Sequence, residues 1–305
     1  TEEDRTISLF MNTTWQTVQL TNSNLTIETT KNDTDGNPIA VLQFPVTQLT
    51  PGDNITFTTT YNVVSKPRLL PSIAEVFSGV LQNISTDLRD QYTKEEGPWL
   101  VSNSTLRVLA HDIVGAVGNE TKVLTIVRKL VAWIHSNIAY PHPMHEVPLY
   151  ANETLTEGEG DCDDQAILLI TLSRILGIPA YLQVGSIYMP TIENDTSTYW
   201  QGHVREVAKK IGWHGWAMVY VPPWGWLPVD LTYLWGGYAE PLDAITNAAV
   251  TSQSVIQYMT ITKSDYVASS RQAREFLINN DFYVFLEDEM TAETSAQDGF
   301  GEGFR

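Results

Sequence analysis

The chain contains one cysteine, Cys162, within the acidic segment 158–165, which reads GEGDCDDQ. A lone thiol cannot form a disulfide within its own chain, so it serves packing, reactivity or a bond to another molecule. The apolar run 166–176, followed by Gly177, predicts a buried helix that begins at or just before Cys162. The unpaired N–H groups and the positive dipole at a helix start favour a thiolate. The pattern therefore predicts a nucleophilic cysteine.

A histidine and an aspartate downstream have the spacing that would complete a catalytic triad. His214 opens a predicted strand, and the turn 222–225 separates it from a second strand that ends near Asp230. A hairpin of this kind brings residues on neighbouring strands close together. One imidazole nitrogen would then face the thiol, while the other donates to the carboxylate that fixes the tautomer.

Each of these residues also has a purely structural interpretation. A single cysteine is often a small buried hydrophobe, and a histidine is often a satisfied member of a core. The carboxylates of Asp161, Asp163 and Asp164 complement a helix dipole, yet they oppose thiolate formation by like charge. Either the helix terminus and His214 outweigh these carboxylates, or Cys162 stays a thiol until substrate binds. Calcium held by the carboxylates is a further alternative, although no loop has the regular ligand spacing of a calcium site.

Four motifs in this order resemble the transglutaminase-like superfamily, and most closely its microbial, protease-like branch. They are GDCDD before a helix, RILGIPA at the end of that helix, HGW on a strand, and GWLPVD after the turn. The lead-in helix 132–140 and the pair Thr154-Leu155 also match. The resemblance covers about residues 105–235.

This resemblance implies a fold and an active site. The fold would be an α+β, papain-like transglutaminase core, and the triad would be Cys162, His214 and Asp230. The implied substrate is a protein or peptide whose amide carbonyl forms a thioester with the cysteine. One departure is Leu231, which stands where family members often have proline after the aspartate, but the carboxylate itself is present.

Aromatic residues near the predicted triad are candidates for substrate binding. Six of the nine tryptophans lie in the stretch that carries the predicted histidine and aspartate: Trp200, Trp213, Trp216, Trp224, Trp226 and Trp235. We predict that they form core and cleft walls, and that Trp213, Trp216 and Tyr140 contact substrate. The Cys162 backbone N–H would be one oxyanion donor, and Tyr140 is a candidate for the second.

The segment 142–146, HPMHE, has the composition of a metal-binding cluster. The prolines around it exclude the helix that would place His142 and His145 on one face, so we predict an ordered loop beside the cleft and no metal site. Apart from the calcium alternative, no cofactor is expected.

The composition favours an extracellular or cell-surface location. The formal net charge is −18 and the pI is about 4.6, which argues against nucleic acid and anionic membranes as partners. Of 16 asparagines, nine begin N-glycosylation sequons, which predicts N-glycans at Asn12, Asn24, Asn32, Asn54, Asn83, Asn103, Asn119, Asn152 and Asn194. Thr1 is not methionine, which fits removal of a signal peptide, and we leave open a membrane anchor beyond Arg305.

Composition and periodicity divide the chain into four parts. They are a β-sandwich-like module (1–66), the cysteine catalytic core (67–240), a strand–helix–strand extension (241–290) and an acidic, glycine-rich tail (291–305). Helices are predicted at about 72–92, 104–118 and 121–138 in the core, and at 265–279 in the extension. The extension also carries predicted strands at 255–262 and 282–286, which we expect to complete the N-terminal sheet.

The tail contains two large apolar residues, Phe300 and Phe304, in a composition typical of disorder. We predict that they pack against the β-module or a neighbouring subunit. The C-terminal third, which has no sequon, would then support a surface assembly or a homo-oligomer.

These observations predict an extracellular, transglutaminase-like cysteine enzyme that cleaves or transfers amide bonds, with hydrolysis favoured. One alternative is a cross-linking transglutaminase, which uses the same triad with an amine as acceptor. The other is a structural or adhesive surface subunit that keeps the triad as part of its scaffold.

Overall fold

The structure is a computed structural model that describes residues 2, 5–45, 50–115, 121–232, 240–252 and 254–293. The predicted anchors Phe300 and Phe304 lie outside the described residues, as do Asn119 and Trp235. Within the described residues, no helix has the length and apolar character needed to cross a lipid bilayer.

Helices and strands contribute about equally to the described residues, which confirms the α+β class. The helices are α1 (Thr86–Tyr92), α2 (Ser104–Val114), α3 (Val123–Asn137), α4 (Ala151–Glu157), α5 (Cys162–Ile175), α6 (Asp243–Thr246), α7 (Ala249–Ser252) and α8 (Tyr266–Asn279). The strands are β1 (Thr6–Ser8), β2 (Gln16–Ser23), β3 (Ile27–Asn32), β4 (Pro38–Leu42), β5 (Thr59–Ser65), β6 (Ala180–Tyr188), β7 (Asp195–Tyr199), β8 (Val204–Lys209), β9 (Ile211–Val221), β10 (Gly225–Val229), β11 (Val255–Ile261) and β12 (Val284–Glu289).

A four-stranded antiparallel sheet, in the order β10-β9-β6-β11, forms the centre of the core. Helix α5 packs against β9 and β6, and α2 and α3 pack against α5. The residues of α5 between Ala166 and Ile170 are at most 1% exposed, because this helix is apolar on all sides. Burial of each large aliphatic side chain contributes about 1.5–3 kcal/mol, so α5 is held firmly against the sheet.

The N-terminal residues form two small sheets, β1-β4-β3 and β2-β5. They are joined to β11, the edge strand of the central sheet, by two buried amide side chains. Gln16 exchanges two hydrogen bonds of 2.7 Å with the backbone of Gln257. Asn37 does the same with the backbone of Thr260, at 2.7 and 2.8 Å. These side chains satisfy the edge groups that an additional strand would otherwise pair.

The first predicted helix of the core, at about 72–92, is wrong over most of its length. Two short 3₁₀ turns, Glu75–Phe77 and Leu81–Asn83, precede α1. The backbone between them bonds to other segments instead of continuing a helix. The Gly79 N–H donates to the carbonyl of Pro222 at 2.7 Å, and the Gly79 carbonyl accepts from Val123 N–H at 2.9 Å.

The extension 241–290 does not complete the N-terminal sheet, contrary to our expectation. Strand β11 pairs with β6 in the central sheet, and β12 pairs in parallel with β8 in a third sheet, β12-β8-β7. Periodicity indicates a strand but does not determine which sheet edge accepts it, so this pairing required the tertiary structure.

One buried arginine joins four segments of the core. Arg174, at the end of α5, donates from Nε to the Ala180 carbonyl at 2.8 Å. Its Nη1 and Nη2 donate to the carbonyls of Lys94 and Thr262, each at 3.2 Å. The guanidinium also lies over the Trp99 ring, 4.6 Å from its centroid. Burial lowers the Arg174 pKa to about 9.

We therefore expect Arg174→Ala to lower the free energy of unfolding by about 3–4 kcal/mol, because the core loses three hydrogen bonds and the packing of the guanidinium on Trp99. Urea denaturation monitored by circular dichroism measures this change. Arg107→Ala, on the exposed face of α2, is the matched control and should change stability by less than about 0.5 kcal/mol. Equal stability of the two variants would contradict this role for Arg174.

Candidate active site

Cys162 is the first residue of α5, with Asp161 as the N-cap residue. The cysteine is partly exposed, and its sulfur accepts a hydrogen bond from the backbone N–H of Gly215 on β9. A Cβ atom at Gly215 would lie 3.0 Å from the Cβ of Asp163, which is closer than an ordinary contact. Glycine therefore permits the first turn of α5 to approach β9.

His214, the residue before Gly215, is held by Asp230 across the hairpin. Its Nε2 lies 3.0 and 2.9 Å from the two carboxylate oxygens. Asp230 directly follows β10, whose Val229 pairs with Ala217 on β9. Both side chains of the pair are buried.

Backbone donors keep the Asp230 side chain in place. The Ala249 N–H donates to Oδ2 at 3.0 Å, and the Thr232 N–H lies 3.4 Å from Oδ1. With Nε2 of His214 at hydrogen-bond distance from this carboxylate, Nδ1 is the ring nitrogen left to face other groups. No sequence pattern indicated Ala249, which lies 19 positions beyond the aspartate.

The electrostatics of the cysteine decide between the two protonation states that the sequence left open. Loss of water around the sulfur raises the Cys162 pKa well above its ordinary value, and the negative charges of Asp163 and Asp161 raise it further. The Gly215 N–H opposes this rise without cancelling it. Burial and the nearby carboxylates thus favour the thiol form of Cys162.

Two of the three predicted substrate contacts lie at accessible positions. Tyr140 is 36% exposed, and its pKa is raised by burial and then by the nearby charges of Cys162 and Asp161, so it borders the site. Trp213 is 37% exposed, and its ring lies 5.2 Å from Tyr258. Trp216 is only 1% exposed, and its ring stacks on His214 at 5.9 Å. Trp216 therefore supports the imidazole and forms no open wall.

Tyr266, on α8, is a neighbour of the site that sequence patterns missed. Its side chain hydrogen-bonds Asp163, and burial, together with the charge of Asp163, raises the tyrosine pKa well above its ordinary value. The two residues lie more than 100 positions apart, so only the fold brings them together.

Among the residues that the structure describes, three overlapping groups of side chains have the composition and proximity to hold a cation. The groups are His145, Glu157 and Glu159; His145, Asp161 and Asp164; and Asp161, Cys162 and Asp163. Within each group the donor atoms lie within 4.8 Å of one another. The HPMHE loop thus lies beside α5 and supplies one histidine to this cluster.

Eight of the nine sequon asparagines are described, and none is buried. Six are exposed: Asn12, Asn24, Asn32, Asn54, Asn83 and Asn194. Asn103 and Asn152 are half-buried. Asn103 also caps α2, since its side chain accepts from Leu106 N–H at 3.1 Å.

Residues 108–231 match the family model of the transglutaminase-like superfamily. Residues 108–231, which include the cysteine, the histidine and the aspartate, are therefore a transglutaminase-like domain.

One solved structure has a similar overall fold. A candidate cysteine protease from Cytophaga hutchinsonii has a TM-score of 0.53 and 17% identity, with 85% of this chain and 75% of that chain covered. The periplasmic domain of TgpA from Pseudomonas aeruginosa, solved with ethylmercury bound, is 18% identical. That match covers 77% of this chain and 68% of the other, with a TM-score of 0.37. No curated protein is significantly similar to this sequence.

The raised thiol pKa predicts how Cys162 reacts with iodoacetamide. The native protein should be alkylated at Cys162, and the rate should rise with pH as the thiolate forms. Asp163→Asn removes a negative charge, which lowers the Cys162 pKa and increases the thiolate fraction at a given pH. At pH 7.5 we expect alkylation at least about threefold faster.

The exposed Asp195→Asn is the matched control and should leave the rate unchanged. Mass spectrometry of time points between pH 6 and 10 measures the profile. Alkylation only after unfolding, or identical profiles for Asp163→Asn and wild type, would contradict this description of the site.

Proposed function

We propose that this chain is an extracellular cysteine hydrolase that cleaves amide bonds through a thioester. The observation that carries the proposal is the His214–Asp230 pair, held at 2.9–3.0 Å next to the Gly215 N–H that contacts the Cys162 sulfur. A nucleophile, a base and a group that orients the base are the parts that acyl transfer requires.

The geometry suggests the order of proton transfers. His214 Nδ1 takes the thiol proton as the sulfur attacks the carbonyl carbon, since the thiol does not ionise in advance. The carbonyl oxygen becomes an oxyanion, and the Cys162 N–H, which has no acceptor within α5, is available to donate to it. The imidazolium then returns the proton to the leaving nitrogen, and Asp230 stabilises its charge throughout.

Water would resolve the thioester, with His214 again acting as base. We favour hydrolysis because the sequence resembles the protease-like branch most closely. The second candidate is transfer to an amine, because the carboxylates of Asp161 and Asp163 near the thiol would attract a primary ammonium group. A surface subunit that retains the triad as scaffold is the non-enzymatic alternative.

A labelled glutamine-containing protein substrate, incubated with and without a primary amine, tests these candidates. We expect cleavage or deamidation that does not require the amine and that is abolished by Cys162→Ala. Asp230→Asn should retain the fold, because asparagine still accepts from the Ala249 N–H. It should reduce turnover by on the order of 10⁴, since the histidine tautomer is no longer fixed.

Asp87→Asn, on the exposed side of α1, is the matched control and should retain full activity. Product that incorporates the amine in preference to water would identify a transglutaminase instead. Turnover that is unaffected by Cys162→Ala would overturn the cysteine mechanism, and no turnover on a panel of proteins would favour the scaffold alternative.

We also propose that the protein is glycosylated outside the cell. Exposed asparagines in sequons at six described positions are accessible to the modifying enzyme. Material purified from the native host should therefore exceed the polypeptide mass, and an N-glycosidase should remove the excess. An intact mass equal to that of the bare polypeptide would contradict both the glycans and the location inferred from them.

A further inference from the structure

The loop that follows Tyr140 brings a histidine against two glutamates at the end of α4. His145 Nε2 lies 3.6 Å from Glu157 Oε2 and 3.9 Å from Glu159 Oε1. The backbone that carries these two glutamates is held in place, because Ala139 exchanges hydrogen bonds of 2.9 Å with Gly158 and Gly160. The three donor atoms therefore surround one point beside the start of α5.

The other nitrogen of this imidazole is already engaged. His145 Nδ1 lies 2.7 Å from Asp164 Oδ2. Asp164 also accepts from the backbone N–H groups of Leu149, at 2.7 Å, and Asp161, at 3.2 Å. Because Nδ1 lies at hydrogen-bond distance from Asp164, Nε2 is the ring nitrogen that faces the two glutamates.

An ion pair between a protonated His145 and the glutamates explains the distances poorly. A charged N–H···O hydrogen bond is about 2.7–2.9 Å long, and both glutamate oxygens lie well beyond that. The gap suits a bound cation better. Two ligand atoms of one tetrahedral zinc ion lie about 3.3 Å apart, and the half-exposed glutamates are free to make this small adjustment.

A buried carboxylate oxygen supplies an independent observation. Asp161 is 7% exposed, and its Oδ1 has no hydrogen-bond partner among the described residues. Asp161 also offers an oxygen within 4.8 Å of donor atoms of His145 and Asp164. An unpaired buried acceptor is costly, and a water molecule held by a cation would satisfy it.

We infer that His145 Nε2, Glu157 and Glu159 form a binding site for a divalent transition-metal ion, with zinc as the best match. Imidazole with carboxylates is a ligand set that suits zinc, whereas calcium and magnesium prefer oxygen ligands alone. Asp164 serves as the carboxylate that orients the metal-binding histidine, an arrangement common around zinc.

The site would link two segments that border the nucleophile. The ion would join the loop after Tyr140 to residues 157–159, three positions before Cys162. Occupancy would therefore restrict both the loop and the entry into α5. This inference does not depend on the proposed reaction, since it concerns residues outside the triad.

Zinc titration of the Cys162→Ala protein tests the site without interference from the thiol. Isothermal titration calorimetry should show one zinc per chain. At about 100 times the dissociation constant, zinc should raise Tm by about 5 °C. Under the same conditions His145→Ala and Glu159→Gln should each weaken binding at least about tenfold.

His135→Ala, on the exposed face of α3, is the matched control and should bind zinc as tightly as the parent. Glu159→Gln keeps the test valid if His145→Ala unfolds, because Glu159 is half exposed. Absence of stoichiometric zinc binding, or zinc binding that survives both variants, would overturn the site. Calcium binding that is unaffected by His145→Ala would overturn the assignment of the histidine as a ligand.

Discussion

The close approach of α5 to β9 at Gly215 is the contact on which the rest of the site depends. At this point the Gly215 N–H donates to the Cys162 sulfur, and a side chain in place of the glycine would crowd Asp163. The apolar burial of α5 supplies the free energy that holds the helix there. His214 precedes the glycine on the same strand, so one helix–strand contact sets the positions of both Cys162 and His214.

The same contact encloses an unusual concentration of negative charge. Asp161, Asp163 and Asp164 occupy the first turn of α5, and each has a raised pKa or raises that of a neighbour, with burial as the first cause for Asp161 and Asp164. Hydrogen bonds from backbone groups and from Tyr266 offset part of the free-energy cost of burying these carboxylates. Together, burial and charge favour the thiol form of Cys162.

The parts outside the core are attached through the edge strand β11. Buried amides of Gln16 and Asn37 replace a missing strand along its outer edge. The inner edge of β11 pairs with β6, and the segment after it includes Thr262, whose carbonyl accepts from Arg174. A single strand from the C-terminal third thus connects the N-terminal sheets with the helix that carries the cysteine.

The sequence by itself determined the local helices and strands and the order in which the proposed triad residues follow along the chain. Apolar periodicity predicted α5 from its first residue, and the turn 222–225 predicted the hairpin that pairs His214 with Asp230. The resemblance to the transglutaminase-like superfamily, which the family model confirms, rested on the same short motifs. These features depend on residues that are close in the chain, so propensity and spacing suffice for them.

Only the tertiary structure decided features that join distant segments. It replaced most of the helix predicted at 72–92 with backbone pairing to Pro222 and Val123, and it placed β11 beside β6. It also raised the thiol pKa through burial, and it brought His145 to two glutamates from another segment. Burial, charge proximity and the choice of a sheet edge depend on three-dimensional distance, which spacing along a chain does not specify.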